Sequence, residues 1–102
     1  MEKNLAGSNS LNVASDDFFI ADANSLCDNA KGLVIDDMAT CMIAASIING
    51  KEQNVQFRKE ESRPNWPKGC YKTTFGVYFN KHSVGNPSTL AQSICLTRIG
   101  IL

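Results

Sequence analysis

The clearest periodic pattern of apolar residues lies in the middle of the chain and predicts an α-helix from about Asp37 to Asn49. Asp36 is expected to cap the free amides of its first turn, and Gly50 supplies the stop. Helical spacing predicts one buried face made of Met38, Cys41, Met42, Ala45 and Ile48. Ile43 and Ile47 widen the apolar surface, so they either cover more of the domain's own core or meet a partner.

Short apolar runs in the second half of the chain predict a β-hairpin made of residues 69–72 and 77–80. Alternate side chains of a strand point to opposite faces of the sheet. We therefore expect Val77 and Phe79 on the core face and Tyr78 on the other face.

Residues 93–96 predict a third strand after the hairpin. Before the hairpin, Val55 and Phe57 alternate like a short edge strand, and the charged residues 59–63 are expected to form a solvated loop. These elements predict an α+β fold, with one helix packed on a small antiparallel sheet of about three strands.

The two ends of the chain lack a sustained apolar period. Residues 1–25 are predicted to form an extended arm, residues 26–96 a compact domain, and residues 97–102 an apolar tail. The apolar patch of the arm either binds a partner or packs back on the domain. The candidate partner-binding residues outside the compact domain are Phe18, Phe19, Ile20, Ile99, Ile101 and Leu102.

Size and charge narrow the possible functions. The 102 residues have room for one domain, and an apolar fraction of 43% is typical of a chain that folds. Ten basic and ten acidic side chains cancel, which removes the strong positive field that non-specific nucleic-acid binding requires. The longest apolar stretch, Met42 to Ile48, is far shorter than the roughly 20 residues needed to cross a bilayer, so we expect no transmembrane segment.

Four widely spaced cysteines, Cys27, Cys41, Cys70 and Cys95, favour two disulfides over structural zinc, because no pair forms a C-x-x-C knuckle. Two disulfides would indicate an oxidising compartment. Residues 1–30 contain neither the pattern of a secretory leader nor an Arg-rich transit peptide, so we expect a mature or truncated form.

A distinctive run extends from Trp66 to Tyr71 (WPKGCY) and continues in residues 76–83 (GVYFNKHS), Gly85 and Ile94-Cys95. It resembles a small four-cysteine domain with the pattern P-x-G-C-Y, V-Y-F-N and I-C in predicted proteins of marine algae and other protists. The resemblance covers about residues 26–96.

The upstream part of that family pattern is matched by Cys27 and by Cys41 followed by Ala44 and Ala45. Of the three possible connectivities, the resemblance suggests Cys41 with Cys70, joining helix to hairpin, and Cys27 with Cys95, joining the two ends of the domain. The family carries no catalytic motif that could be transferred to this chain.

No constellation of catalytic residues is evident in the sequence. His82 is the only histidine, which excludes a histidine-based triad or metal cluster. Paired carboxylates at residues 16–17, 36–37 and 60–61 are better explained as a polar arm, a helix start and a charged loop. We therefore expect a protein that is not an enzyme and holds no cofactor or metal.

Two binding functions from different classes fit these observations. The first is an accessory, stabilising subunit of a larger protein assembly, which for an algal protein suggests the lumenal side of a photosystem or light-harvesting antenna, against a pigment- or membrane-protein surface. The second is a secreted or surface carbohydrate-binding module. In that module Trp66, Tyr71 and Tyr78 would stack on the ligand, although the same rings could instead complete the core.

Overall fold

Six strands and one helix make up the part of the chain that the structure, a computed structural model, describes, namely residues 17–50 and 55–97. In chain order these elements are β1 (Phe18–Ile20), β2 (Leu33–Val34), α1 (Met38–Asn49), β3 (Phe57–Glu61), β4 (Gly69–Thr73), β5 (Gly76–Asn80) and β6 (Gln92–Leu96). The predicted α+β fold is confirmed, with the helix packed on the sheet.

The sheet has more strands than predicted and is mixed. Its strand order is β1-β6-β4-β5-β3, and β2 also pairs with β6. The predicted hairpin is β4 with β5, in which Tyr71 lies directly opposite Tyr78. All described pairs are antiparallel except β3 with β5, which is parallel.

Residues 59–63, expected to be a solvated loop, include most of the edge strand β3. The prediction was wrong because an edge strand can carry charged side chains on both faces and still pair through its backbone on one side. Val77 opposite Phe57 and Asn80 opposite Glu61 mark the extent of that pairing.

Residues 18–20, assigned to the arm, form the strand β1 at the opposite edge of the sheet. Phe18 pairs with Leu96 and Ile20 pairs with Ile94, antiparallel to β6. The predicted arm therefore ends too late at residue 25. The apolar patch packs back on the domain, which was the second of its two possible placements.

Each face of the sheet carries its own apolar cluster and its own disulfide. The larger cluster lies between the sheet and α1, where Val77, Phe79 and Ile94 are buried beside the Cys41–Cys70 bridge. The smaller cluster contains the Cys27–Cys95 bridge. Cys95 neighbours Ile94 along β6, so its side chain points to the face away from the helix. The pairing suggested by the family resemblance is confirmed, and two disulfides are consistent with an oxidising environment.

The helix α1 begins one residue later than predicted and is capped by a different aspartate. Asp37 has extended backbone angles, and its carboxylate accepts a hydrogen bond of 2.8 Å from the amide of Thr40. Asp36 is therefore not the cap. It lies one residue too early for its carboxylate to reach the amides of the first turn.

The faces of α1 also differ from the predicted ones. Met38 and Met42 are exposed, whereas Ala44 is buried. Ile43 and Ile47 pack against the main core, so they cover the domain's own interior. Among the described residues, no helix is long and apolar enough to cross a membrane.

Because Asp37 and not Asp36 caps α1, we expect the two aspartates to contribute differently to the free energy of unfolding. Asp37→Ala should lower the free energy of unfolding by about 0.5–2 kcal/mol, because the Thr40 amide loses its acceptor. Asp36→Ala is the matched control and should change it by less than about 0.5 kcal/mol. Urea unfolding of both variants checks this, and equal losses would contradict the assignment of the cap.

Candidate ligand-binding groove

A groove of about 530 Å³ lies on the sheet face opposite α1 and is here called the aromatic groove. Its volume falls within the range of about 300–1,000 Å³ that is typical of ligand sites. The residues that line it are Ala23, Lys59, Glu61, Arg63, Trp66, Tyr71, Lys72, Thr73, Thr74, Phe75, Tyr78, Thr89, Leu90 and Gln92.

Three stacked rings form the floor of the groove. The centroids of Trp66 and Tyr71 are 5.5 Å apart with planes 8° from parallel. Those of Tyr71 and Tyr78 are also 5.5 Å apart, with planes at 20°. Direct cross-strand pairing holds the two tyrosines side by side, so the three aromatic residues proposed from the sequence do meet in one place.

Tyr71 differs from the sequence prediction, because it is too buried to offer its ring to a ligand. Only 2% of the residue is exposed, since its ring lies between those of Trp66 and Tyr78. The other two rings are half-buried and border the groove. Tyr71 therefore supports the stack, and Trp66 and Tyr78 present the aromatic surface.

A hydrogen bond and an ion pair hold the end of β3 beside the stacked rings. The hydroxyl of Tyr71 donates a hydrogen bond to the carboxylate of Glu61. The same carboxylate lies 3.5 Å from Nε of Arg63. The side chain of Glu61 is only 9% exposed, whereas that of Arg63 is largely exposed. Glu61 is thus committed to internal contacts, and it partly compensates the charge of a guanidinium that stays largely exposed.

The amide side chain of Asn80 holds the loop that carries Trp66. Asn80 is fully buried at the end of β5. The two N–H groups of its Nδ2 are shared among the backbone carbonyls of Arg63, Trp66 and Pro67, at 2.8–3.0 Å. Its Oδ1 accepts from the amides of Arg63 at 2.9 Å and His82 at 3.2 Å. Sequence reasoning missed this role, although an asparagine that ends a run of apolar strand residues was the available signal.

A second loop packs closely on the Trp66 segment. A Cβ atom at Gly85 would lie 2.2 Å from the backbone nitrogen of Lys68, so only glycine fits at this crossing. Next to it, the amide of Asn86 donates to the carbonyl of Trp66 at 3.0 Å. The Asn86 side chain donates to the carbonyl of Pro64 at 2.8 Å. The groove wall at Trp66 is therefore held from two directions.

Two apolar side chains project into solvent at the rim of the groove. Phe75, in the turn between β4 and β5, is 75% exposed, and Leu90, just before β6, is 72% exposed. Sequence reasoning did not select Leu90, because a single leucine between polar residues carries no periodic signal. Isolated exposed apolar residues need no explanation, but here both border the same groove.

The lining of the groove is positively charged although the chain as a whole is neutral. Its charged residues are Lys59, Arg63, Glu61 and Lys72, but Lys72 lies opposite the core residue Val77, so alternation turns its side chain to the helix face. Arg63 and Glu61 form an ion pair, so the charge of Lys59 is the one that this pair leaves uncompensated at the groove, whereas the chain as a whole is neutral. Nζ of Lys72 donates to Oε1 of Gln92 at 3.4 Å.

The partner-binding residues proposed at the ends of the chain do not form a site in the described structure. Phe18 is buried in the main core, Ile20 packs against it, and Phe19 packs against the smaller cluster. The prediction for Phe18, Phe19 and Ile20 was wrong, because pairing of β1 with β6 places them in the sheet and against the two apolar clusters. Ile99, Ile101 and Leu102 lie outside the described residues.

Within residues 17–50 and 55–97, no group of three or more His, Cys, Asp or Glu side chains is placed to hold a metal ion. Comparison of the chain with family models, with curated proteins and with solved structures found no match.

Proposed function

We propose that this protein is a non-catalytic protein-binding module and that its partner contacts the aromatic groove. The observation that carries the proposal is the exposure of Phe75 and Leu90 on the rim of a groove floored by Trp66 and Tyr78. Aromatic residues and arginine are the side chains enriched at the energetically important centres of protein interfaces.

Burial of the rim residues by a partner is energetically worthwhile. Covering a large apolar side chain is worth about 1.5–3 kcal/mol. The exposed fractions of Phe75 and Leu90 are both above two thirds, so most of that gain is still available to a partner. The internal hydrogen bonds of Asn80 order the Trp66 loop in advance, which lowers the entropic cost of association.

A carbohydrate ligand is the second candidate, and the exposed faces of Trp66 and Tyr78 favour it. Sugar hydroxyls also need acceptor and donor side chains beside the rings. Glu61 is already bonded to Tyr71 and Arg63. Gln92 accepts from Lys72 and donates to the carbonyl of Ala21. Because these two polar side chains are engaged internally and Phe75 and Leu90 add exposed apolar surface, we favour a protein partner over a sugar.

The biological setting of the partner rests on the family resemblance. We propose an accessory, stabilising role in a larger complex, with the lumenal side of an algal photosystem or light-harvesting antenna as its most specific form and secretion as the other route to an oxidising compartment. In either setting the contact surface is the aromatic groove in place of the Phe18–Ile20 patch.

A double substitution at the rim tests the proposal. We expect Phe75→Ser with Leu90→Ser to leave the melting temperature nearly unchanged, because both side chains are exposed. Peptides selected from a displayed random library by the wild-type domain should lose at least about tenfold in affinity for this variant, since about 1.4 kcal/mol of lost apolar burial corresponds to that factor.

The matched control is Val84→Ser, which removes an apolar side chain that is 64% exposed and does not line the groove. It should bind the selected peptides as the wild type does. Equal losses in both variants would show that the selected contact is not the groove. A glycan array bound by the wild type and by the rim variant, but not by Trp66→Ala, would favour the carbohydrate function instead.

A further inference from the structure

We infer that the partner segment bound by the aromatic groove is an extended acidic peptide with apolar side chains among its carboxylates. This inference rests on the proposed function and specifies the chemistry of the partner. It is carried by the charge of the groove lining, by the width of the groove across the sheet and by the two apolar rim residues.

The charges at the groove favour an acidic partner segment. Lys59 comes from the edge strand β3 and Arg63 from the segment that follows it, and both are exposed. The one carboxylate of the lining, Glu61, is nine-tenths buried and accepts a hydrogen bond from Tyr71. Glu61 therefore compensates part of the charge of Arg63, and the exposed cations that a partner meets are Lys59 and the outer part of the Arg63 guanidinium. A complementary negative segment would be steered to this surface and oriented on it.

The width of the groove favours a partner segment in an extended conformation. Its lining includes residues of four neighbouring strands in the order β6, β4, β5 and β3, from Gln92 to Lys59. Neighbouring strands lie about 4.8 Å apart, so three gaps span about 14 Å. An extended chain rises about 3.3 Å per residue, so about four residues cross the groove.

The exposed apolar residues at the rim favour apolar side chains in that partner segment. Phe75 and Leu90 project at the groove, and Trp66 and Tyr78 border it. In an extended peptide alternate side chains point the same way. Apolar residues at alternate positions can therefore contact the rings and the rim, while carboxylates that point the same way, beside them in the segment, meet Lys59 and Arg63.

The test uses a displayed peptide library with balanced charge and the full-length oxidised protein. Peptides selected by the wild type should be enriched in Asp and Glu around apolar residues. The strongest of them is then synthesised together with an analogue in which every Asp and Glu is replaced by Asn and Gln. Each lost charge pair at such a surface is expected to reduce affinity by about two- to fivefold, so the neutral analogue should bind about tenfold or more weakly.

Two lysine variants locate the effect. Lys59→Gln should reduce the preference for the acidic peptide by about two- to fivefold, whereas Lys31→Gln, an exposed lysine outside the lining, should not change it. The preference should shrink as salt is raised from about 0.05 M to about 0.5 M, because exposed charges are screened.

The possible failures are distinguishable. Selected peptides that lose affinity on the Phe75→Ser, Leu90→Ser variant but bind equally well as acidic and neutral forms would overturn the acidic partner and keep the protein-binding groove. Selection of basic peptides would do the same. A library that yields no peptide sensitive to the rim variant would overturn both the inference and the proposed function.

Discussion

Reduction of both disulfides is expected to unfold the domain at room temperature. The bridges Cys41–Cys70 and Cys27–Cys95 close loops with sequence separations of 29 and 68 residues. In the chain-entropy description such closures contribute about 3.6 and about 4.4 kcal/mol. The total is comparable with the whole free energy of unfolding of a small domain, about 5–15 kcal/mol. Far-ultraviolet circular dichroism and Trp66 fluorescence before and after reduction measure the loss.

Removal of one bridge at a time separates the contributions. Cys41→Ala with Cys70→Ala should lower the melting temperature by about 15–30 °C, because about 1 kcal/mol corresponds to about 4–8 °C in a domain of this size. Oxidised wild-type protein carried through the same buffer change without reductant is the control. A reduced protein that keeps its native spectrum and melting temperature would show that packing alone holds the fold.

Substitution of Asn80 by alanine is expected to have the second largest effect. The variant removes a partner of three backbone carbonyls and two backbone amides around a fully buried position, and of these groups the Trp66 carbonyl keeps the amide of Asn86 as a donor. Each buried polar group left without a partner costs about 1–3 kcal/mol, and partial access of water to the loop reduces the sum. We expect a loss of about 3–5 kcal/mol, measured by denaturant unfolding, and a red-shifted emission of Trp66, which is the only tryptophan.

The matched control for this prediction is Asn86→Ala. Its side chain is exposed and donates a single hydrogen bond, to the carbonyl of Pro64. The expected cost is below about 1 kcal/mol, with little change in fluorescence. Equal costs for the Asn80 and Asn86 variants would refute the assignment of Asn80 as the residue that holds the Trp66 loop.

Both predictions also concern function, because a groove wall that is less ordered should bind a partner more weakly. The Cys41–Cys70 bridge joins α1 to β4, on the face opposite the groove, and Asn80 fastens the Trp66 loop to the end of β5. Peptide affinity in the Asn80→Ala variant should therefore fall even at temperatures where the domain stays folded. A loosened loop must be ordered again when the partner binds.

Local patterns were sufficient to predict the helix, the hairpin and the last strand. Helical spacing of apolar residues identified α1, and alternation placed Val77 and Phe79 on the core face with Tyr78 on the other. The even number of cysteines indicated two bridges, because a bridge depends on residue type and compartment more than on local structure. These features depend on residues close together in the chain or on covalent chemistry.

Tertiary structure alone decided the parts that depend on pairing between distant segments. The strand β1 exists because Phe18 and Ile20 find β6 more than seventy residues later in the chain. The strand β3 exists because β5 offers an edge to a charged segment that has no apolar alternation. Neither partner is visible in a local window of sequence.

The arrangement of the groove residues also depends on pairing between distant segments. Sequence reasoning named Trp66, Tyr71 and Tyr78, but only cross-strand pairing stacks them and buries Tyr71. Burial also turned the carboxylate of Glu61 inward and left Arg63 outward, which set the charge of the surface. The sequence by itself determined which side chains were available. The sheet determined which of them reach a partner, because exposure and charge pairing are properties of segments brought together in space.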